Sequence, residues 1–150
     1  MESSLIYPTF NVRITHENSK AFVFDEIRKK WILLSPEEWV RQHLIHHLVI
    51  QKNVPASLIS IEKEINLNNT RKRYDAVVYN KTMGPVLLIE CKAPDVPITE
   101  TTLEQTLRYN LILGVKYLLI TNGLKEYVIS AENGKGKLMK ELPVYNELIL

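Results

Sequence analysis

Three charged residues stand where strands are expected. Asp75, Glu90 and Lys92 lie within RYDAVVYNKTMGPVLLIECK, residues 73–92, a stretch that otherwise reads as two buried strands and a turn. With the turn centred on Thr82 and Met83, Asp75 falls opposite Glu90, Val77 opposite Leu88 and Tyr79 opposite Val86. Such pairs hold their Cβ atoms roughly 4.5–5.5 Å apart on one face. Alternation places Lys92 on that face too, and sends Ala76, Val78, Leu87, Ile89 and Cys91 to the other. Two carboxylates about 5 Å apart repel by about 3 kcal/mol at an effective dielectric of roughly 20. A divalent cation between them reverses the sign. Magnesium accepts one or two protein carboxylates together with water and phosphate oxygens. Lys92 could stabilise developing negative charge there, or orient an attacking water. Cys91 reads as a small buried hydrophobe whose carbonyl, between Glu90 and Lys92, is a further candidate metal ligand. A second account stays open: Glu90 and Lys92 form an ordinary ion pair at a strand end, and Asp75 caps a turn or pairs with Arg73. A one-residue slip in register would move Asp75 to the opposite face.

The flanking elements must position these groups. SPEEWVRQHLIHHLVIQ opens a helix with Ser35 at the N-cap, Pro36 in the first position and Glu38 three residues on. SLISIEKEINLN alternates Ile59, Ile61, Ile65 and Leu67 with polar residues, a strand with one wet face. TETTLEQTLRYNLILG is a second helix, starting near Thr99 or Thr101 and closing at Gly114. Leu103, Leu107 and Leu111 form its inward stripe, and Gln105 and Tyr109 lie one turn apart on another side. AFVFDEIRKKWILL reads as two short strands around a charged turn, and VKYLLIT, EYVISAE and GKLMKEL as further strands divided by NG and NGKG turns. The order predicts one α/β domain with a central mixed sheet flanked by helices. Residues 1–20 read as an N-terminal arm, 21–132 as the core and 133–150 as a C-terminal hairpin and tail.

RYD, fourteen residues, then ECK resembles the D…(D/E)-x-K signature of the PD-(D/E)XK nuclease superfamily. More narrowly, SPEEWVRQHLIHHLV, KRYDAVVY, LLIECKAP, EQTLRYN and YLLITNGLKEYV are similar to the N-terminal nuclease domain of type I restriction enzyme R subunits, over roughly residues 20–130. The resemblance implies a restriction-endonuclease-like core and a magnesium-dependent DNA endonuclease, with manganese as a substitute. It implies Asp75 and Glu90 as metal ligands, Lys92 as the catalytic lysine, and a role in DNA handling for Gln105-x-x-x-Tyr109. It also implies an acid from the first helix. Val40, Leu44 and Leu48 define that helix's inner stripe, with Glu37 near its centre and Glu38 on its flank. Glu38 has a local explanation in the capping box with Ser35, so Glu37 is favoured for the site. Its other account is a glutamate placed by the helix dipole. R subunits continue into an ATP-driven translocase, and nothing in these residues resembles a P-loop. The expectation is a piece, a remnant or a free-standing relative of the nuclease domain, with other restriction-modification subunits as candidate partners.

The rest of the composition bounds the answer. The chain has 150 residues, 45% of them hydrophobic, enough for one domain with a core. A formal net charge of +2 neither demands nor excludes DNA, but Arg71, Lys72 and Arg73 form a basic cluster that could contact its backbone. A solvated face is the other reading of that cluster. A lone cysteine excludes an internal disulfide, and no signal peptide or membrane span is visible, so a cytoplasmic location is expected. His43 and His47 share a helix face, yet no third ligand accompanies them, and boundary packing is the simpler account. The alternative to catalysis is a DNA- or protein-binding module with a nuclease-like fold.

Overall fold

The computed structural model describes residues 4–67 and 69–150. Helix α1 (Pro36–Ile50) begins where Ser35 Oγ accepts the Glu38 N–H at 3.0 Å, with Pro36 supplying no orphan donor. Its inner stripe of Val40, Leu44 and Leu48 is fully buried. Helix α2 (Glu100–Leu113) starts at Thr99, whose hydroxyl accepts the Thr102 N–H at 3.2 Å. It stops at Gly114, which adopts φ +74°, the left-handed conformation that a side chain resists.

Between the helices runs a six-stranded mixed sheet, as expected. Its strands are β4 (Ile59–Leu67), β5 (Thr70–Tyr79), β6 (Pro85–Cys91), β7 (Tyr117–Thr121), β8 (Glu126–Glu132) and β9 (Lys135–Met139), in spatial order of sequence. Every neighbouring pair is antiparallel except β6–β7, which α2 connects in parallel. The two faces carry separate cores. Ala76, Val78, Leu87, Ile89 and Leu119 pack with the α1 stripe. Val77, Leu88, Leu118 and Ile120 pack with Leu103, Leu107 and Leu113 of α2. Burial on both faces explains why β5 and β6 read as continuous apolar runs.

A smaller antiparallel sheet of β1 (Ile14–Glu17), β2 (Lys20–Asp25) and β3 (Lys30–Leu33) precedes α1. The first of these strands lies within the residues expected to form an N-terminal arm. A short helix, α3 (Tyr145–Leu148), buries Tyr145 and Leu148 at the other end of the chain. Among the described residues no helix is long and apolar enough to cross a membrane.

Three local expectations are corrected. Tyr79 pairs with Pro85 rather than Val86, because the register shifts after Val78. The buried positions of α2 are Thr106, Asn110 and Leu113; of the expected Leu103–Leu107–Leu111 stripe, Leu103 and Leu107 pack on the sheet but all three are only partly covered, so the inner face is centred beside that stripe. The third correction concerns Asp75. The β4–β5 ladder pairs Ile61 with Ala76 and then Lys63 with Tyr74, passing over Glu62, which has φ +53°. The β5–β6 ladder begins at Ala76 and Ile89. Tyr74 and Val77 share the α2-side core while Ala76 belongs to the other, so alternation breaks at Asp75.

Candidate active site

That break decides where the acids point. Asp75 does not simply face Glu90 across the hairpin. Its Oδ2 accepts the backbone N–H of Cys91 at 2.6 Å, and its Oδ1 lies 3.8 Å from the guanidinium of Arg41 on α1. Burial raises the Asp75 carboxyl above the ordinary aspartate range; the Cys91 N–H, Arg41 and Lys92 oppose this, and the charge of Glu90 adds to it. Glu37 belongs to the same group. Burial and then the charge of Asp75 raise its carboxyl, with Arg41 and Lys92 acting the other way. Asp75, Glu37, Lys92 and Arg41 therefore share one electrostatic neighbourhood.

Glu90 turns to the α2 side. Its Oε1 lies 2.5 Å from Lys72 Nζ, and its Oε2 accepts the Thr106 hydroxyl at 3.3 Å. Lys72 Nζ also stands 5.0 Å from the centre of the Tyr74 ring and 4.9 Å from that of Tyr109. The two carboxylates thus feel one another but are held by different partners. The basic cluster is divided by the same strand geometry. Arg71 and Arg73 are exposed and pair with Glu64 at 2.9 Å and Glu62 at 3.1 Å, while Lys72 between them turns inward.

On α2, Gln105 and Tyr109 are exposed, and with Arg108 and Ile112 they line a depression of about 530 Å³. A second cavity of about 400 Å³ lies between β2 and α1, but none of Asp75, Glu90 and Lys92 lines it. Cys91 is buried in the core on the α1 side of the sheet, and burial pushes its thiol far up, away from nucleophilic use.

The helix wheel misplaced the two glutamates of α1. Glu38 is buried at 4% exposure, and Glu37 is exposed. The backbone half of the Ser35 cap forms, but the Glu38 carboxylate is engaged by Arg41, by Arg28 at 3.2 Å and by Gln42 at 2.9 Å. Burial works against its charge, and these partners outweigh it, holding Glu38 below the ordinary glutamate range. Asp25 joins the network through Arg28 Nε at 2.8 Å and Gln42 at 3.1 Å. Glu38 is a structural acid, which leaves Glu37 as the α1 carboxylate beside Asp75. The histidines pack: His43 donates to the Trp39 carbonyl at 2.8 Å, and His46 stacks on Phe10 at 4.1 Å.

Sequence reasoning did not single out Arg41, Thr106 or the inward turn of Lys72. The first two carried a signal, since Arg41 lies one turn from both glutamates and Thr106 follows Gln105. The donor set of Asp75 and Glu90, with Glu37 near, is all hard oxygen and fits magnesium or manganese. Among the described residues no group of three or more His, Cys, Asp or Glu side chains is gathered that could hold a metal ion.

No curated protein matches the chain. A fragment structure assigned to an HsdR subunit of a type I restriction enzyme from Vibrio vulnificus YJ016 superposes with a TM-score of 0.56 at 20% identity, covering 77% of this chain and 24% of that one. The chain thus spans about a quarter of the length of that solved fragment. A DUF820 protein from Anabaena variabilis ATCC 29413, described as a nuclease, gives a TM-score of 0.52 at 13% identity, covering 90% and 87% of the two chains. The α/β fold is restriction-endonuclease-like. Residues 36–143 match the model of the type I restriction enzyme R protein N terminus (HSDR_N), and the chain belongs to that family.

Proposed function

We propose that this chain is a magnesium-dependent endonuclease domain that hydrolyses DNA phosphodiester bonds, with manganese as a substitute ion. The observation that carries this reading is Asp75: a half-buried carboxylate where the β5–β6 ladder opens, accepting the Cys91 N–H, 3.8 Å from Arg41 and acted on by the charges of Glu90 and Lys92. Asp75 and Glu90 would hold the ion, with the Cys91 carbonyl as a further ligand. When bound, the ion supplies charge neutralisation at the scissile phosphate and acidifies a water molecule. Lys92 places an ammonium beside Asp75 and Glu37, where it can orient that water and stabilise charge that develops on the phosphate. Glu37 can accept a proton from the water, and its raised pKa suits that role. Arg71 and Arg73 present exposed guanidiniums to the DNA backbone, while Gln105 and Tyr109 flank the strand from α2. Family membership supports work in the cytoplasm alongside other restriction-modification subunits.

The test is cleavage of supercoiled plasmid with magnesium or manganese. Wild type should nick or linearise it, and Lys92→Ala should not, while melting like the wild type. Strong cleavage by Lys92→Ala without any metal would reject the assignment. A second reading, a DNA- or protein-binding module without catalysis, draws on the hold that Lys72 and Thr106 have on Glu90. Metal-independent DNA binding with no cleavage would favour it.

A further inference from the structure

We infer that Lys72 is a built-in competitor of the divalent ion, a resident cation on Glu90 that sets how tightly the metal binds. The inference rests on the magnesium-site reading above. Its geometry is specific: Lys72 comes from β5, Glu90 from β6, and the ammonium lies 2.5 Å from Glu90 Oε1. Tyr74 and Tyr109 bracket that ammonium at 5.0 and 4.9 Å, so an aromatic pair holds it in place. Arg71 and Arg73, one residue to either side, pair on the outer surface. Strand alternation therefore delivers one basic residue of three to the inside, and that one is the compact, point-charged lysine.

Lys72 holds one oxygen of Glu90, while the other lies 3.3 Å from the Thr106 hydroxyl, whose single proton is shared with the Thr102 carbonyl at 2.8 Å. Glu90 is little exposed, at 17%, and its charge works against that of Asp75. An ammonium on Glu90 relieves this repulsion. A divalent ion shared by Asp75 and Glu90 needs the carboxylate that Lys72 holds, and its charge repels the ammonium, so the two cations exclude each other. Apparent metal affinity is then reduced by the fraction of molecules in which Lys72 has let go. Tyr109, the last residue of the Gln105-x-x-x-Tyr109 element, enters this balance as a wall of the lysine's seat.

Calorimetric titration of the whole chain with manganese(II) chloride measures the competition without any cleavage. Lys72→Met should bind manganese about tenfold more tightly than wild type, the factor expected if Glu90 is free about one-tenth of the time. Tyr109→Leu removes an exposed ring without changing either charge and should tighten binding by about threefold. It remains informative if Lys72→Met fails to fold. Lys72→Arg keeps a cation and should show no gain. If Lys72→Met and Tyr109→Leu bind no more tightly than wild type while Glu90→Gln loses binding, the metal site stands and the competitor is overturned. If no variant binds manganese at millimolar concentration, both readings are overturned.

Discussion

The Asp75 carboxylate accepts the backbone N–H of Cys91 at 2.6 Å, so a side chain replaces a strand partner where the β5–β6 ladder opens. The contact fixes the residue between Glu90 and Lys92. One acid thereby shapes the backbone that carries the other two charged groups.

Asp75→Ala should leave that N–H without its acceptor and destabilise the fold by about 1–3 kcal/mol. Asp75→Asn keeps an acceptor oxygen and relieves the burial of charge, so its urea midpoint should match or exceed that of wild type. Both should be inactive on plasmid. Equal midpoints for the alanine variant and wild type would show that the contact contributes nothing.

Lys92→Ala should abolish cleavage while leaving a cooperative melt, with a loss of no more than about 1 kcal/mol for a half-buried ammonium acting on Asp75 and Glu37. Paired melting and plasmid assays separate this from unfolding.

Glu38→Gln should behave in the opposite way. It removes the buried partner of Arg41 and should destabilise by about 3–5 kcal/mol. The sign with pH follows from the direction of its shift. Glu38 is held below the ordinary glutamate range, so its contribution is present above that range and is lost as pH falls through the lower folded value. The gap between wild type and Glu38→Gln should be widest near neutrality and close below about pH 4. Melting curves at a series of pH values read this directly; a gap that widens in acid contradicts the network.

Arg71→Ala and Arg73→Ala should each weaken DNA binding on any sequence and reduce the slope of log affinity against log salt by about one. Their exposed pairs with Glu64 and Glu62 contribute about 0–1 kcal/mol, so stability should barely change. Filter binding at several salt concentrations gives the slope, and an unchanged slope would exclude phosphate contact.

Much of this architecture is legible in the sequence because its signals are local. Ser35 with Pro36 starts α1, Thr99 and Gly114 bound α2, and alternation fixes Val77 opposite Leu88. What escapes is what depends on distant partners. Glu62 adopts φ +53° with no glycine to announce it, at the point where the β4–β5 ladder skips both Glu62 and Asp75. The wheel placed Glu37 inside because it could not foresee Arg28 arriving from the β2–β3 turn to bury Glu38. The α2 face was misjudged because its centre is polar: Thr106 serves Glu90, and Asn110 is wholly buried.

Similarity to the family begins at Pro36, but the molecule does not divide there. Arg28 and Asp25, both upstream, hold Glu38 and Gln42 at the start of the helix that faces Asp75. A chain trimmed to the matched span would strip Arg28 from Glu38 and Asp25 from Gln42, leaving Arg41 as the cation on Glu38. Such a truncation should loosen the amino end of α1 and carry Glu37 away from its neighbours. The edge of family likeness is therefore not an edge of folding cooperativity.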